Sequence, residues 1–176
     1  VDVLDKVLLT ARKIRPLSYT FYTVVTGLLL LVVWPWNFES ITLNAVSLDL
    51  FSGVLFSLAI YVFFRALSQG EVSRVIPFIC AIVPITDILI SFAFGRNVLN
   101  MQEVAAMFLL IPGAVLVVYR KKDFVGKHVM LKVSSAVLWS TYFAVWQFAA
   151  KDGNVLNHLM WNRVGAGGIL VALLIL

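Results

Sequence analysis

Six stretches of this 176-residue chain run for about 18 to 22 residues with almost no charge. A helix needs about 20 consecutive apolar residues to cross the hydrocarbon of a bilayer. The runs are 17–36, 50–67, 75–94, 101–119, 129–150 and 157–176. In lipid every backbone N–H and C=O has to be paired within the segment, so such runs are helices. They are too long and too continuous for barrel strands, which alternate over about ten residues. The composition agrees: 61% of residues are hydrophobic and 13% charged, with mean hydropathy +0.97. A soluble domain is about 45–50% apolar and about 25% charged, and a chain this short has too little interior to hide the excess. The expectation is an all-α integral membrane protein, a polytopic helix bundle with about six spans.

The net charge of +5 does not point to nucleic acid, because the basic residues sit between apolar runs and form no single patch. The loops 37–49, 68–74, 95–100, 120–128 and 151–156 are short and predict antiparallel neighbours. Lys and Arg gather on one side: Lys6, Arg12, Lys13, Arg15, Arg65, Arg74, Arg120, Lys121, Lys122, Lys127 and Lys132 against Arg96, Lys151 and Arg163. The positive-inside rule makes the first side cytoplasmic. Val1 is not a start residue and Leu176 ends within an apolar run, so both ends read as truncations, with residues 1–9 the tail of a helix. The single Cys80 lies in an apolar run and reads as a buried small hydrophobe.

The stretch from Tyr61 reads YVFFRALSQGEVSRVIPFICAIVPITDILISFAFGRNVLNMQEVAAMFLLIPGAVLVVY. Ala66-Leu67 closes a helix, Gly70 lies in a small polar turn, Pro77 and Pro84 share the next helix, and Pro112-Gly113 lie in the last. The opening DKVLLTARKIRPLSYTFYT looks like the end of one permease helix and the start of the next. This pattern resembles the EamA family of the drug/metabolite transporter superfamily, with one departure: Arg96 follows Gly95 where the family usually carries Glu. The resemblance implies ten helices in two inverted five-helix repeats. On it, 1–121 is a first repeat lacking most of helix one, 122–127 a charged connector, and 128–176 the truncated start of the second repeat. It also implies both termini in the cytoplasm, against the Lys/Arg count, so the orientation stays open.

Few residues can carry chemistry inside such a bundle. Asp87 falls slightly past the middle of 75–94, where a carboxylate costs about 2.5–3.5 kcal/mol to insert. Pro84, three residues before it, removes an N–H and leaves the Cys80 carbonyl without its helical partner. A helix broken at Pro77 or Pro84 beside an ionisable group resembles how transporters build sites; the alternative is a buried Asp held as structural glue. Arg163, early in the last span, either snorkels to the interface or meets an anionic or carboxylate-bearing solute, and the resemblance favours the second. Trp139, Tyr142, Phe143 and Trp146 share one helical face with Gln147 beside it. That face packs, touches lipid, or lines a path for an aromatic or cationic solute. Tyr19, Tyr22, Thr23 and Thr26 form a similar face, Arg65 reads as an interface anchor, and Asp5-Lys6 as a surface pair.

The only histidines, His128 and His158, stand apart at loops or helix starts. No metal, cofactor, phosphate-loop or Ser/His/Asp pattern occurs. The function expected is therefore a non-enzymatic permease of a small organic solute in a bacterial or archaeal inner membrane. It would work by alternating access, with a coupling proton on Asp87 and substrate-pathway residues Asp87, Arg163, Trp139, Trp146, Gln147 and Tyr22. The rivals are a membrane-embedded enzyme acting on lipid and a non-transporting scaffold or sensor subunit.

Overall fold

The computed structural model describes residues 2–11, 14–33, 35, 40–93, 101–102, 105–106, 108–109, 112–113, 127–151 and 153–175. Among these the regular structure is helical throughout. Helix α1 is Asp2–Ala11, α2 Pro16–Leu28, α3 Leu43–Gln69, α4 Val72–Ala93, α5 Lys127–Ala149 and α6 Val155–Ile175. Local sequence sets the boundaries. Pro16 opens α2 after an extended Arg15, where its missing N–H is no loss. Helix α2 then tightens into a 3-10 turn over Leu29–Val33, so the span expected at 17–36 is not one continuous α-helix. The Thr42 side chain accepts the Ala45 N–H at 3.3 Å and starts α3. Asn154 accepts the Leu156 N–H at 3.0 Å and starts α6.

Helix α3 begins seven residues before the expected span. Asp49, expected in the loop 37–49, is thus inside a helix and fully buried. Among the described residues three helices are long and apolar enough to cross a membrane: Leu43–Gln69, Val72–Ile90 and Val129–Ala149, with Pro16–Val32 a shorter apolar helix. The protein is an integral, multi-pass membrane protein. Of the span expected at 101–119 the described residues cover 101–102, 105–106, 108–109 and 112–113, and of the connector 122–127 they cover 127 alone.

Helix α3 is the centre of the bundle. It packs along α5 and α6 and also meets α1 and α2, while α4 lies outboard against α5. The core joins Val24 of α2, Phe56, Ile60 and Phe64 of α3, Ile79 of α4, Ala136 of α5 and Leu170 of α6. The short turn between α3 and α4 does not make them close neighbours, contrary to expectation: α4 turns away to α5. There Ser140 Oγ meets Thr86 Oγ1 and lies 3.0 Å from the Val83 carbonyl. Helix α4 also runs without interruption through Pro77 and Pro84, so the expected break beside Asp87 does not occur. Cys80 is exposed on α4, not buried.

Asp5 and Lys6 do not form a surface pair. Asp5 accepts a 2.5 Å hydrogen bond from the Tyr19 hydroxyl. Lys6 donates to the Leu67 and Ser68 carbonyls at 2.7 and 3.1 Å, meeting orphan acceptors at the end of α3. Together they fix α1 to α2 and α3.

Glycine brings α3 and α6 together. A Cβ on Gly53 would stand 2.0 Å from the Asn162 carbonyl oxygen, and one on Gly165 would stand 2.2 Å from that of Leu50. Neither backbone can give way, whereas Gly168 faces open space. Small residues that allow backbones to meet are the usual device of membrane helix pairs. Gly53→Val is expected to destabilise the full-length protein in detergent by at least about 1–3 kcal/mol, the cost of overpacking. Gly168→Ala should leave the thermal midpoint unchanged.

A polar seam and an inward-facing arginine

The close contact of α3 and α6 is lined with polar groups. Asp49 and Ser52 on α3 and Asn157, His158 and Asn162 on α6 are all fully buried. His158 Nδ1 lies 2.7 Å from Asp49 Oδ2. Asn162 Nδ2 donates to Ser52 Oγ at 2.7 Å, and Ser52 donates to the Asp49 carbonyl at 2.8 Å. Further along, Ser57 donates to the Ala166 carbonyl at 3.1 Å. Among the described residues nothing donates to Asp49 Oδ1 or Asn162 Oδ1, both of which are buried.

Arg163 follows Asn162 on α6 and so projects from the next face. Its guanidinium carbon lies 4.3 Å from the centre of the Phe56 ring, and a Cβ on Gly27 of α2 would touch its Cδ at 3.3 Å. The half-buried side chain therefore lies among α2, α3 and α6. No carboxylate among the described residues pairs with it, and its Nε is buried without a hydrogen bond. Beside it stands an aromatic cluster. Phe56 meets Trp139 and Tyr142 at ring separations of 5.8 and 5.3 Å, Trp139 meets Tyr142 at 5.7 Å, and Phe143 stacks on Trp139 at 5.6 Å.

The residues singled out from the sequence do not all converge. Trp139 belongs to the cluster under Arg163. Trp146 is half-buried against the core, with Nε1 buried and unbonded. Gln147 is exposed. Tyr22 is 65% exposed and faces away from the bundle, while Thr23 and Thr26 bond back to their own helix. Asp87 is half-buried on α4, next to the Thr86–Ser140 contact. The structure adds Asp49, Ser52, Asn157, His158 and Asn162. Their signal was a spacing of small and polar residues, at 49, 52, 53 and 57 and at 158, 162, 165 and 166, that marks one face of each helix.

Among the described residues no cluster of His, Cys, Asp or Glu could hold a metal ion. What the arrangement offers is an inward-facing cation over an aromatic floor, bordered by hydroxyl and amide groups. Replacing Asn162 by Ala should lower stability by about 1 kcal/mol, the usual net worth of a hydrogen bond, read from thermal unfolding of the full-length protein in detergent.

The model of the EamA-like transporter family matches residues 3–119. No curated protein and no solved structure matches the chain.

Proposed function

The chain belongs to the EamA-like transporter family, a family of membrane transporters in the drug/metabolite superfamily, and from that premise we propose that it carries a small organic solute bearing a carboxylate. The observation that carries the proposal is Arg163. A cation within a span costs about 2.5–3.5 kcal/mol to insert, and the Phe56 ring offsets only about 0.5–2 kcal/mol of that. A carboxylate ligand answers the rest, because guanidinium and carboxylate match in a two-pronged, charge-assisted hydrogen bond. The neighbouring Trp139 and Tyr142 suit the apolar body of such a solute. A cationic solute, open on the sequence alone, is disfavoured at this face by the arginine itself.

The position supports the same reading. Arg163 lies beyond the segment matched by the family model, while Phe56 and Gly27 lie within it. The site therefore falls between the two parts of the chain. Transporters that work by alternating access bind their solute between repeats that rock against each other. Asp87, away from this face on α4, is the carboxylate assigned to the coupling proton.

The test is uptake into proteoliposomes holding the full-length protein, with panels of small carboxylates, amines and neutral solutes. A carboxylate should be taken up. Arg163→Gln should reduce its uptake at least tenfold, and Arg163→Lys should retain part of it, since the charge stays and the fork is lost. Unchanged uptake by Arg163→Gln rejects the carboxylate assignment. Asp87→Asn is expected to abolish uptake driven by a pH gradient while solute exchange without a gradient persists. If the mutant still responds fully to the gradient, the proton is carried elsewhere.

A further inference from the structure

We propose that Asp49 and His158 form a proton-binding site that fastens α3 to α6, and that loss of its proton loosens this contact. The inference is separate from the carboxylate reading of Arg163 and from the role of Asp87.

Three observations support it. The two side chains touch at 2.7 Å across helices that belong to distant parts of the chain, 109 residues apart. Both are fully removed from solvent. The contact is closed on both sides by backbone. On one side is the approach at Gly53 and Gly165. On the other is Gly153, whose φ of +121° lies in the region that favours glycine, and where a Cβ would stand 3.2 Å from His158 Nε2.

The charge balance then follows. With Asp49 ionised and both ring nitrogens of His158 protonated, the pair carries no net charge, the form suited to a dry site. Removing a ring proton leaves one net negative charge there. A buried net charge calls for water. Water reaches the pair only if α3 and α6 part or the turn holding Gly153 moves.

Among the described residues, the ionisable groups of the neighbouring helices are placed as follows. Arg163, next along α6, lies over Phe56. On α5, Tyr142 meets Phe56 and Lys132 lies over Phe78. On α2, Tyr19 bonds to Asp5 and Tyr22 is exposed. On α1, Lys6 lies at the far end of α3. Lys151 in the α5–α6 turn is exposed.

The experiment places spin labels at Leu43→Cys and Val155→Cys, both exposed at the adjoining starts of α3 and α6, in full-length protein with native cysteines replaced. Distances are read in lipid nanodiscs between pH 5.5 and 9. The expected result is a short distance at low pH and a growing longer population as pH rises. Asp49→Asn and His158→Gln should both remove that shift. A control pair, Gln69→Cys with Met130→Cys, should keep its distance and so report an intact fold. In the unmutated protein the 15N resonances of the His158 ring should titrate with the same midpoint. Distances that ignore pH, a shift that survives His158→Gln, or an imidazole that holds one protonation state throughout would each overturn the proposal.

Discussion

The backbone contact between α3 and α6 at Gly53 and Gly165 is the constraint on which the rest of the bundle depends. Lipid gives apolar side chains no reason to prefer a neighbouring helix, so packing and hydrogen bonding have to hold the helices together. Here the two glycines bring the main chains close enough for both. Asn162 then reaches Ser52, Ser57 reaches the Ala166 carbonyl, and His158 reaches Asp49. The order of cause matters. Without the glycines the added Cβ atoms would hold the two helices apart, and the bonds across the seam would be lost.

The same contact aims the arginine. Successive residues on a helix are rotated by about 100°. Once Asn162 is turned into α3, Arg163 has to point one face further round, into the wedge where α2 meets α3. Gly27 leaves room for its chain and Phe56 supplies a ring beneath it. The aromatic residues of α5 fill the space under that ring, so α5 acts as a floor and α6 as the arm that holds the charge. The central place of α3 follows as well: it is the helix that offers small polar residues to α6 on one side and Phe56 to α5 on another.

Three of the expected spans, those in α3, α4 and α5, were legible in the sequence because length and apolarity alone decide them. Their ends were less so. Asn44, Ser47 and Asp49 lower the hydropathy at the start of α3 and make its first turns look like loop, although each is helical. Neighbour relations were legible for α2 and α3, which meet as the loop between them predicts, but not for α3 and α4. A short turn suggested that α3 and α4 pair, but α4 follows the hydroxyl of Ser140 to α5. Pro84 suggested a break, yet the helix continues past it. Cys80 failed for a related reason: an apolar run in lipid has an outer side, and hydrophobicity does not say which side a thiol takes. Arg163 and Asp87 stood out because an ionisable group in a span is rare. Asp49 and His158 did not, since each sits near the end of a run and resembles an interface residue until its partner is known.

A seam of this composition also bears on how such a bundle could open. If two helices meet through leucine, parting them exposes oil to water, and the open form is penalised over its whole area. The α3–α6 seam presents amide, hydroxyl, carboxylate and imidazole groups instead. Each gives up a protein partner on opening and gains a water in exchange, which brings the net difference per hydrogen bond to about 0.5–1.5 kcal/mol. Closed, the groups bond to one another at His158–Asp49 and Asn162–Ser52 and exclude solvent; parted, they line a wet surface. A contact of that kind can hold two states of similar free energy, and rocking between such states is what alternating access requires. In this bundle the contact joins the part of the chain matched by the family model to the part beyond it, with Arg163 at its edge, so whatever parts α3 from α6 also opens the wedge around the inward-facing cation.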